Sequence, residues 1–124
     1  MYLSQKDVSL LESKFQIGYT EFVKAYCRWV EWGEGERLSL KEKANFDCIF
    51  WDMGCTVYQS RPLQCRTYPF WESIVSSRQA WEAAAKDCQG IGFGNLHCKE
   101  EIDGCLAQRD MEPVITRPYA GGRI

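Results

Sequence analysis

Four cysteines are the residues of this sequence best suited to chemistry. Cys48, Cys55 and Cys65 all lie within the stretch CIFWDMGCTVYQSRPLQC, and Cys88 follows later in the chain. Each stands beside a turn or loop signal, where irregular backbone can bring ligands to one point. Four thiolates would enclose a tetrahedral zinc ion at Zn–S distances of about 2.3 Å, or hold an iron–sulfur cluster. Each cysteine could equally be a buried, unreactive thiol.

The spacing of these cysteines does not by itself select a metal site, because it is not a paired CxxC…CxxC pattern. If CIFW and CTVY form a hairpin around DMG, Trp51 faces Cys55 and Cys48 lies three residues further along its strand. At roughly 3.3 Å per residue, about 10 Å would then separate the two cysteines. One zinc ion could hold both only if the hairpin is distorted; otherwise they serve different centres.

Two arginines, Arg61 and Arg66, flank Cys65 in the sequence. Their guanidinium groups could offset the negative charge of a thiolate site and keep its thiols deprotonated. The alternative is that both form ordinary surface ion pairs.

The other cysteines and the single histidine are weaker candidates for metal binding. Cys27 lies on the apolar stripe of a predicted helix, where core packing is the default. Cys98 and Cys105 are seven residues apart on another predicted helix, about 10.5 Å along its axis. They cannot share a metal or a disulfide unless that helix breaks at Gly104. His97 precedes Cys98, and packing or solvent exposure is the simpler expectation for it.

The composition is that of an ordinary globular chain. Its 124 residues are 45% hydrophobic and 26% charged, with a net charge of −2. There is no Lys/Arg-rich block, so nucleic acid is not expected as a partner. No apolar run reaches the roughly 20 residues that span a bilayer, and MYLSQKDV does not read as a signal peptide. Seven cysteines cannot all pair within one chain, which favours a reducing cytoplasm and metal or redox chemistry over disulfides.

Enzyme motifs are missing from the sequence. It contains no HExxH, GxSxG, phosphate-binding glycine loop or GxGxxG pattern. A binding protein is therefore favoured over an enzyme.

The elements that must position the cysteines are short. Ser4 and Asp7 form a capping-box pattern at the start of a predicted helix over residues 5–15. Further predictions are helices over 21–31, 62–67, 71–86 and 96–109, a strand over 37–43, a hairpin over 48–58, and a glycine loop over 89–95. The fold class predicted is α+β, with helices around a two- or three-stranded antiparallel sheet. Residues 1–111 form a single cysteine-rich domain, and 112–124 an irregular tail.

The stretch DCIF…GCTVYxxRPLQCRTYPFW (47–71), with Trp81 and DCQGIG (87–92), resembles a microbial cysteine-cluster family. These are the YkgJ-like or CxxCxxCC proteins, zinc- or iron-chelating domains also labelled iron–sulfur-cluster-containing proteins. The likeness covers roughly residues 2–94, and YLSQKDV, EFVKAYCR and LSLKEKAN also look like family segments. The resemblance implies that Cys48, Cys55, Cys65 and Cys88 are chelating residues.

One departure from the family pattern concerns the amino end. Members usually carry a CxxCxxCC cluster just upstream of the segment resembling YLSQKDV, whereas this chain begins at Met1. Met1 is then an internal methionine or the start of a natural shortened form, and the metal site in this chain can be incomplete. Upstream cysteines that partner Cys48 and Cys55 separately would remove the geometric objection. The HCKEEIDGC segment (97–105) is a weaker source of substitute thiols.

The combined prediction is a cytoplasmic protein that binds zinc, iron or an iron–sulfur cluster through cysteine thiolates. Two alternatives stay open. One is a redox-active iron–sulfur electron carrier or enzyme, and the other is a metal-free interaction module whose cysteines only pack.

Overall fold

The computed structural model describes residues 1–88, 90–91 and 97–118. The chain divides into two compact units. The first, here called the sheet unit, is Met1–Cys65 together with the chain from Glu112 onward; the second, the helical unit, is Arg66–Met111. The loop predicted over 89–95 lies largely outside the described residues, and Gly90 and Ile91 form part of a turn.

Helix α1 (Gln5–Phe15) has the bounds predicted for it, and its start is the predicted capping box. The Ser4 hydroxyl accepts the Asp7 N–H at 3.1 Å, and the Asp7 carboxylate accepts the Ser4 N–H at 2.9 Å. The helix turns Val8 and Leu11 into the core. These local signals suffice because a cap and an apolar stripe need no distant partner.

The helix predicted over 21–31 is wrong in its second half. Helix α2 (Tyr19–Tyr26) ends before Cys27, and the chain continues as strand β1 (Cys27–Trp32). The apolar residues of the predicted helix therefore belong to two elements: those up to Tyr26 lie on α2, and Cys27 and Val30 lie on β1. Tryptophan and valine, which favour strands, occupy this segment, and pairing with the next strand outweighs its weak helical periodicity.

Strand β2 (Gly35–Leu40) pairs with β1 in antiparallel register, from Cys27 opposite Leu40 to Trp32 opposite Gly35. A tight turn joins the strands, and Gly33 takes the left-handed conformation there with φ of 58°. The strand predicted over 37–43 thus exists but begins two residues earlier and ends at Leu40.

The third strand, β3 (Thr116–Pro118), comes from the segment that was expected to be irregular. It pairs antiparallel with β2, which gives the sheet the order β1-β2-β3. A Cβ on Gly35 would stand 2.6 Å from the Arg117 carbonyl oxygen, so glycine is required for this approach. The α+β class and the three-stranded antiparallel sheet are therefore confirmed.

The hairpin is at 27–40 and not at 48–58, which corrects the prediction. Residues 48–58 form turns, and their only pairings are isolated bridges, Glu42 with Cys48 and Trp51 with Cys55. Phe50 and Val57 are both buried in the core. The β-forming residues of this segment anchor a loop to the core and do not build a ladder.

The core of the sheet unit lies between α1, α2 and the sheet. Phe15 stacks on Tyr26 at 5.0 Å and on Phe50 at 5.6 Å between ring centres. The buried hydrophobic residues are Leu3, Val8, Leu11, Phe22, Cys27, Leu38, Leu40, Phe50 and Val57.

Helix α3 (Leu63–Thr67) follows Pro62, close to the bounds predicted from that proline. The helix predicted over 71–86 is broken into α4 (Glu72–Val75) and α5 (Arg78–Ala85). The break occurs because the Ser77 side chain accepts the Ala80 N–H at 3.0 Å and so starts a new helix.

Helix α6 (Lys99–Met111) starts later than predicted. Cys98 precedes it, with its carbonyl accepting the Ile102 N–H at 3.2 Å. Cys98 thus directly precedes α6 and Cys105 lies within it. Among the helices within the described part of the chain, none is long and apolar enough to cross a membrane.

Candidate metal centre

A turn, and not an extended strand, connects Cys48 with Trp51. The Trp51 N–H donates to the Cys48 carbonyl at 2.9 Å, and Trp51 in turn stands opposite Cys55 in a single bridge. Such a turn keeps its first and last Cα atoms within about 7 Å, whereas three extended residues would cover about 10 Å. The separation of about 10 Å expected between Cys48 and Cys55 assumed an extended strand, and a turn stands in its place. The prediction that Trp51 lies opposite Cys55 is confirmed.

Cys65 lies in the first turn of α3, where its N–H donates to the Pro62 carbonyl at 3.0 Å. The pKa of the Cys65 thiol is raised to about 11, mainly by burial, with smaller contributions from the charges of Cys48, Cys55 and Asp7. Charges act on one another over several ångströms, so this effect does not require contact between the sulfur atoms. Cys48, Cys55 and Cys65 thus lie in one part of the sheet unit, within the range at which their charges act on one another.

The first turn of α3 is joined to the amino end of the chain by two hydrogen bonds, here called the N-terminal clasp. One oxygen of the fully buried Asp7 carboxylate accepts the Leu63 N–H at 2.9 Å. The Gln64 side-chain oxygen accepts the Tyr2 N–H at 2.7 Å. Sequence reasoning assigned Asp7 a cap and missed this second role, since no local pattern marks a partner 56 residues away.

The positive group that acts on Cys65 is the amino group of Met1, which lowers the pKa of that thiol. It donates to the Ser39 hydroxyl at 3.2 Å. Arg61, predicted to tune the charge, places its guanidinium over the Tyr58 ring at 3.7 Å and donates from Nε to the Tyr58 carbonyl. Arg66 is exposed in the last turn of α3. Charge tuning by the two arginines stays a prediction.

Cys88, the fourth predicted ligand, lies in the helical unit just after α5 and is half-buried. Burial is the main cause that raises the pKa of Tyr68, and the charge and hydrogen bond of Cys88 add to it. The Tyr68 ring meets Trp71 edge-on at 4.8 Å. Cys88 thus has a polar partner of its own within the helical unit.

A family model named CxxCxxCC, described as "putative zinc- or iron-chelating domain", matches residues 2–89. The chain belongs to this family. The matched range includes Cys48, Cys55, Cys65 and Cys88, although the string CxxCxxCC does not occur in the sequence. No solved structure matches the chain.

The weaker candidates of this CxxCxxCC protein take separate positions. Cys27 is 5% exposed on β1, and burial raises the pKa of its thiol to about 12. Near the start of α6, the Glu101 carboxylate lies 2.8 Å from His97 Nδ1 and 3.5 Å from Cys98 Sγ. Cys105 is half-buried on α6. All seven cysteines are free thiols.

The fit of a metal ion to this CxxCxxCC protein depends on donor chemistry and on arrangement. Cysteine thiolates are soft donors of the kind that zinc and iron take. Across residues 1–88, 90–91 and 97–118, however, no three Cys, His, Asp or Glu side chains are gathered closely enough to hold an ion. The donor type fits, and the arrangement does not yet converge on one point.

Proposed function

We propose that the protein binds zinc or iron through the thiolates of Cys48, Cys55 and Cys65, with Cys88 as a fourth ligand. The observation that supports this is the turn from Cys48 to Trp51, which stands opposite Cys55 and so brings the Cys48 and Cys55 positions towards each other. The effect of their charges on the pKa of the Cys65 thiol agrees with it. Membership of a family described as zinc- or iron-chelating agrees with it.

The exposure of these cysteines differs from that of Cys27. Cys48, Cys55 and Cys65 are half-buried, whereas Cys27 is 5% exposed within the hydrophobic cluster. Cys48 and Cys55 also pack against that cluster from its edge. A half-buried thiol beside two others can still reach an ion that arrives from solvent.

Binding would require the thiols to lose protons and to move closer together. Because the pKa of the Cys65 thiol is raised to about 11, a metal ion must displace the proton of this thiol in order to bind. The ion would also offset the mutual repulsion of the thiolates, so binding and the stability of the sheet unit should be coupled. We further propose a reducing cytoplasm as the compartment, since an odd number of free thiols suits it.

Metal analysis of the purified protein tests this proposal. The wild type is expected to retain zinc or iron after reconstitution, and Cys48→Ser, Cys55→Ser, Cys65→Ser and Cys88→Ser are expected to lose it. Cys105→Ser, outside the matched residues 2–89, is the matched control and should keep the metal. Brown colour with broad absorbance would identify an iron–sulfur cluster. A wild type that binds neither ion would leave a metal-free interaction module whose cysteines only pack. Four variants that all keep the ion would show that residues other than these cysteines bind it.

A further inference from the structure

The Asp7 carboxylate uses its two oxygens on two different parts of the chain. One oxygen accepts the Ser4 N–H and closes the capping box of α1, and the other accepts the Leu63 N–H. The side chain is 0% exposed. A buried carboxylate is costly unless it is hydrogen-bonded, and the bonds that it accepts are stronger than neutral ones.

The bond to Leu63 acts directly on the segment that carries Cys65. Leu63 is the first residue of α3, and the first N–H groups of a helix lie outside its own hydrogen-bond ladder. Asp7 supplies that partner, and Cys65 follows two residues later in the same turn. The neighbouring bond from Tyr2 to Gln64 joins the same two segments one residue away.

The amino-terminal segment is itself held firmly in the sheet unit. Leu3 is 0% exposed, donates its N–H to the Leu38 carbonyl at 3.0 Å and accepts the Ile115 N–H at 2.8 Å. Asp7 follows this fixed segment and lies in the first turn of α1. The clasp therefore connects the start of α3 to the sheet and to α1, which are both independently anchored.

Given the metal-binding function proposed above, we propose that Asp7 is a positioning residue. Through the Leu63 N–H it holds the first turn of α3 so that Cys65 stays beside Cys48 and Cys55. The Tyr2–Gln64 bond supports the same placement. The role is one of positioning and not of metal ligation, since the carboxylate is 0% exposed and directs its oxygens at two backbone N–H groups.

The test compares three variants by cobalt(II) titration, with cobalt standing in for zinc. Asp7→Asn keeps the shape of the side chain but loses one of its two acceptor oxygens. Gln64→Ala breaks the neighbouring clasp bond without changing any charge. Ser4→Ala is the matched control, since it removes the hydroxyl cap and leaves both carboxylate bonds in place. The thiolate-to-cobalt charge-transfer absorbance per bound ion reports how many sulfurs coordinate.

Asp7→Asn is expected to weaken cobalt binding about tenfold and to lower the charge-transfer absorbance, as loss of an outer-shell partner does. Gln64→Ala should likewise weaken cobalt binding and lower the charge-transfer absorbance. Ser4→Ala should stay within about twofold of the wild type, as expected where no positioning bond is lost. A role in folding alone would instead make Ser4→Ala and Asp7→Asn alike.

A second readout needs no metal. In the metal-free protein, the rate of Cys65 alkylation relative to Cys105 is followed by mass spectrometry. Gln64→Ala should raise this ratio without any change of charge at position 7, which isolates placement from electrostatics. Wild-type ratios and wild-type cobalt binding in both Asp7→Asn and Gln64→Ala would overturn the proposal.

The outcomes separate this proposal from the metal-binding function. A wild type that binds no cobalt defeats the metal-binding function, and the alkylation ratio still decides whether the clasp places Cys65. If Asp7→Asn does not fold, Gln64→Ala carries the test alone, and wild-type behaviour of that variant overturns the proposal.

Discussion

The backbone of Trp51 pairs with that of Cys55 in an isolated antiparallel bridge. The bonds of this bridge run from the Asp52 N–H to the Gly54 carbonyl and from the Thr56 N–H to the Phe50 carbonyl. Trp51 also donates its N–H to the Cys48 carbonyl, so one residue lies beside both cysteine positions. No extended ladder surrounds this contact, and the loop conformation alone sets how close the two thiols come. The stability of the loop should therefore be measurable by changing the residues that shape it.

The glycine at the tip of this loop should be difficult to replace. Gly54 has φ of 148°, a conformation that side-chain-bearing residues rarely adopt. Gly54→Ala is expected to lower the free energy of unfolding by about 1–3 kcal/mol. Urea denaturation measures the change. Gly104→Ala, in open space within α6, is the matched control and should raise stability by about 0.5–1 kcal/mol. Equal effects at both positions would contradict the strained turn.

Zinc should stabilise the protein, and the gain should depend on Cys48. At free zinc of about one hundred times the dissociation constant, binding adds about 2.7 kcal/mol to the free energy of unfolding. Thermal melts with and without zinc measure this gain. Cys48→Ser should lose most of it, and Cys105→Ser should retain it. An equal gain in both variants would argue that zinc binds elsewhere.

The metal-free protein should lose stability at alkaline pH because of Cys27. Burial raises the pKa of this thiol from 9.0 to about 12. As pH rises above 9, the thiol ionises in the unfolded chain before it ionises in the folded one. The free energy of unfolding therefore falls progressively up to about pH 12, above which this thiol causes no further loss. The loss across this range is about 2–4 kcal/mol.

Denaturation at a series of pH values in the presence of a chelator checks this prediction. Cys27→Ala should reduce the alkaline slope, because it removes the buried thiol. Val30→Ala, on the same strand but without a titrating group, should lower stability and keep the slope. A wild-type slope in Cys27→Ala would show that other groups cause the alkaline loss.

The ion pair of Arg28 and Glu42 joins strand β1 to the segment that pairs with Cys48. Two nitrogens of Arg28 donate to the Glu42 carboxylate at 2.7 and 3.0 Å, and the backbone of Glu42 bridges to that of Cys48. A double-mutant cycle with Arg28→Gln and Glu42→Gln should give a coupling of about 0.5–1 kcal/mol.

This coupling should depend on pH with a defined sign. Hydrogen bonding to Arg28 is the main cause that lowers the pKa of Glu42. The stabilisation is thus complete above the ordinary glutamate pKa of about 4.3 and is lost as pH falls through the lower folded value. The more exposed pair of Arg78 and Glu82 is the comparison and should show weaker coupling. A coupling that grows as the pH is lowered would contradict the assignment.

The sequence itself determined those elements whose signals are local. The Ser4–Asp7 capping box and the apolar stripe of α1 lie within one segment, and Pro62 similarly marks the start of α3. The α+β class followed from the predicted helices and strands. The number of cysteines favoured metal or redox chemistry, whereas the choice of Cys48, Cys55, Cys65 and Cys88 as ligands came from the family resemblance and stays a prediction. The placement of helix ends by nearby caps succeeds because those bonds form between residues three or four apart.

The tertiary structure alone decided the features that depend on distant partners. The segment after Tyr26 is a strand because it pairs with β2. Thr116–Pro118 is a strand because it pairs with the opposite edge of β2. The chain from Cys48 to Trp51 turned back instead of extending because Phe50 and Val57 are buried in the core. The second oxygen of Asp7 found its donor at Leu63, 56 residues away. Neither hydrogen bonds nor burial across such separations leave a periodic mark on the sequence, so only the folded chain shows which thiols become neighbours.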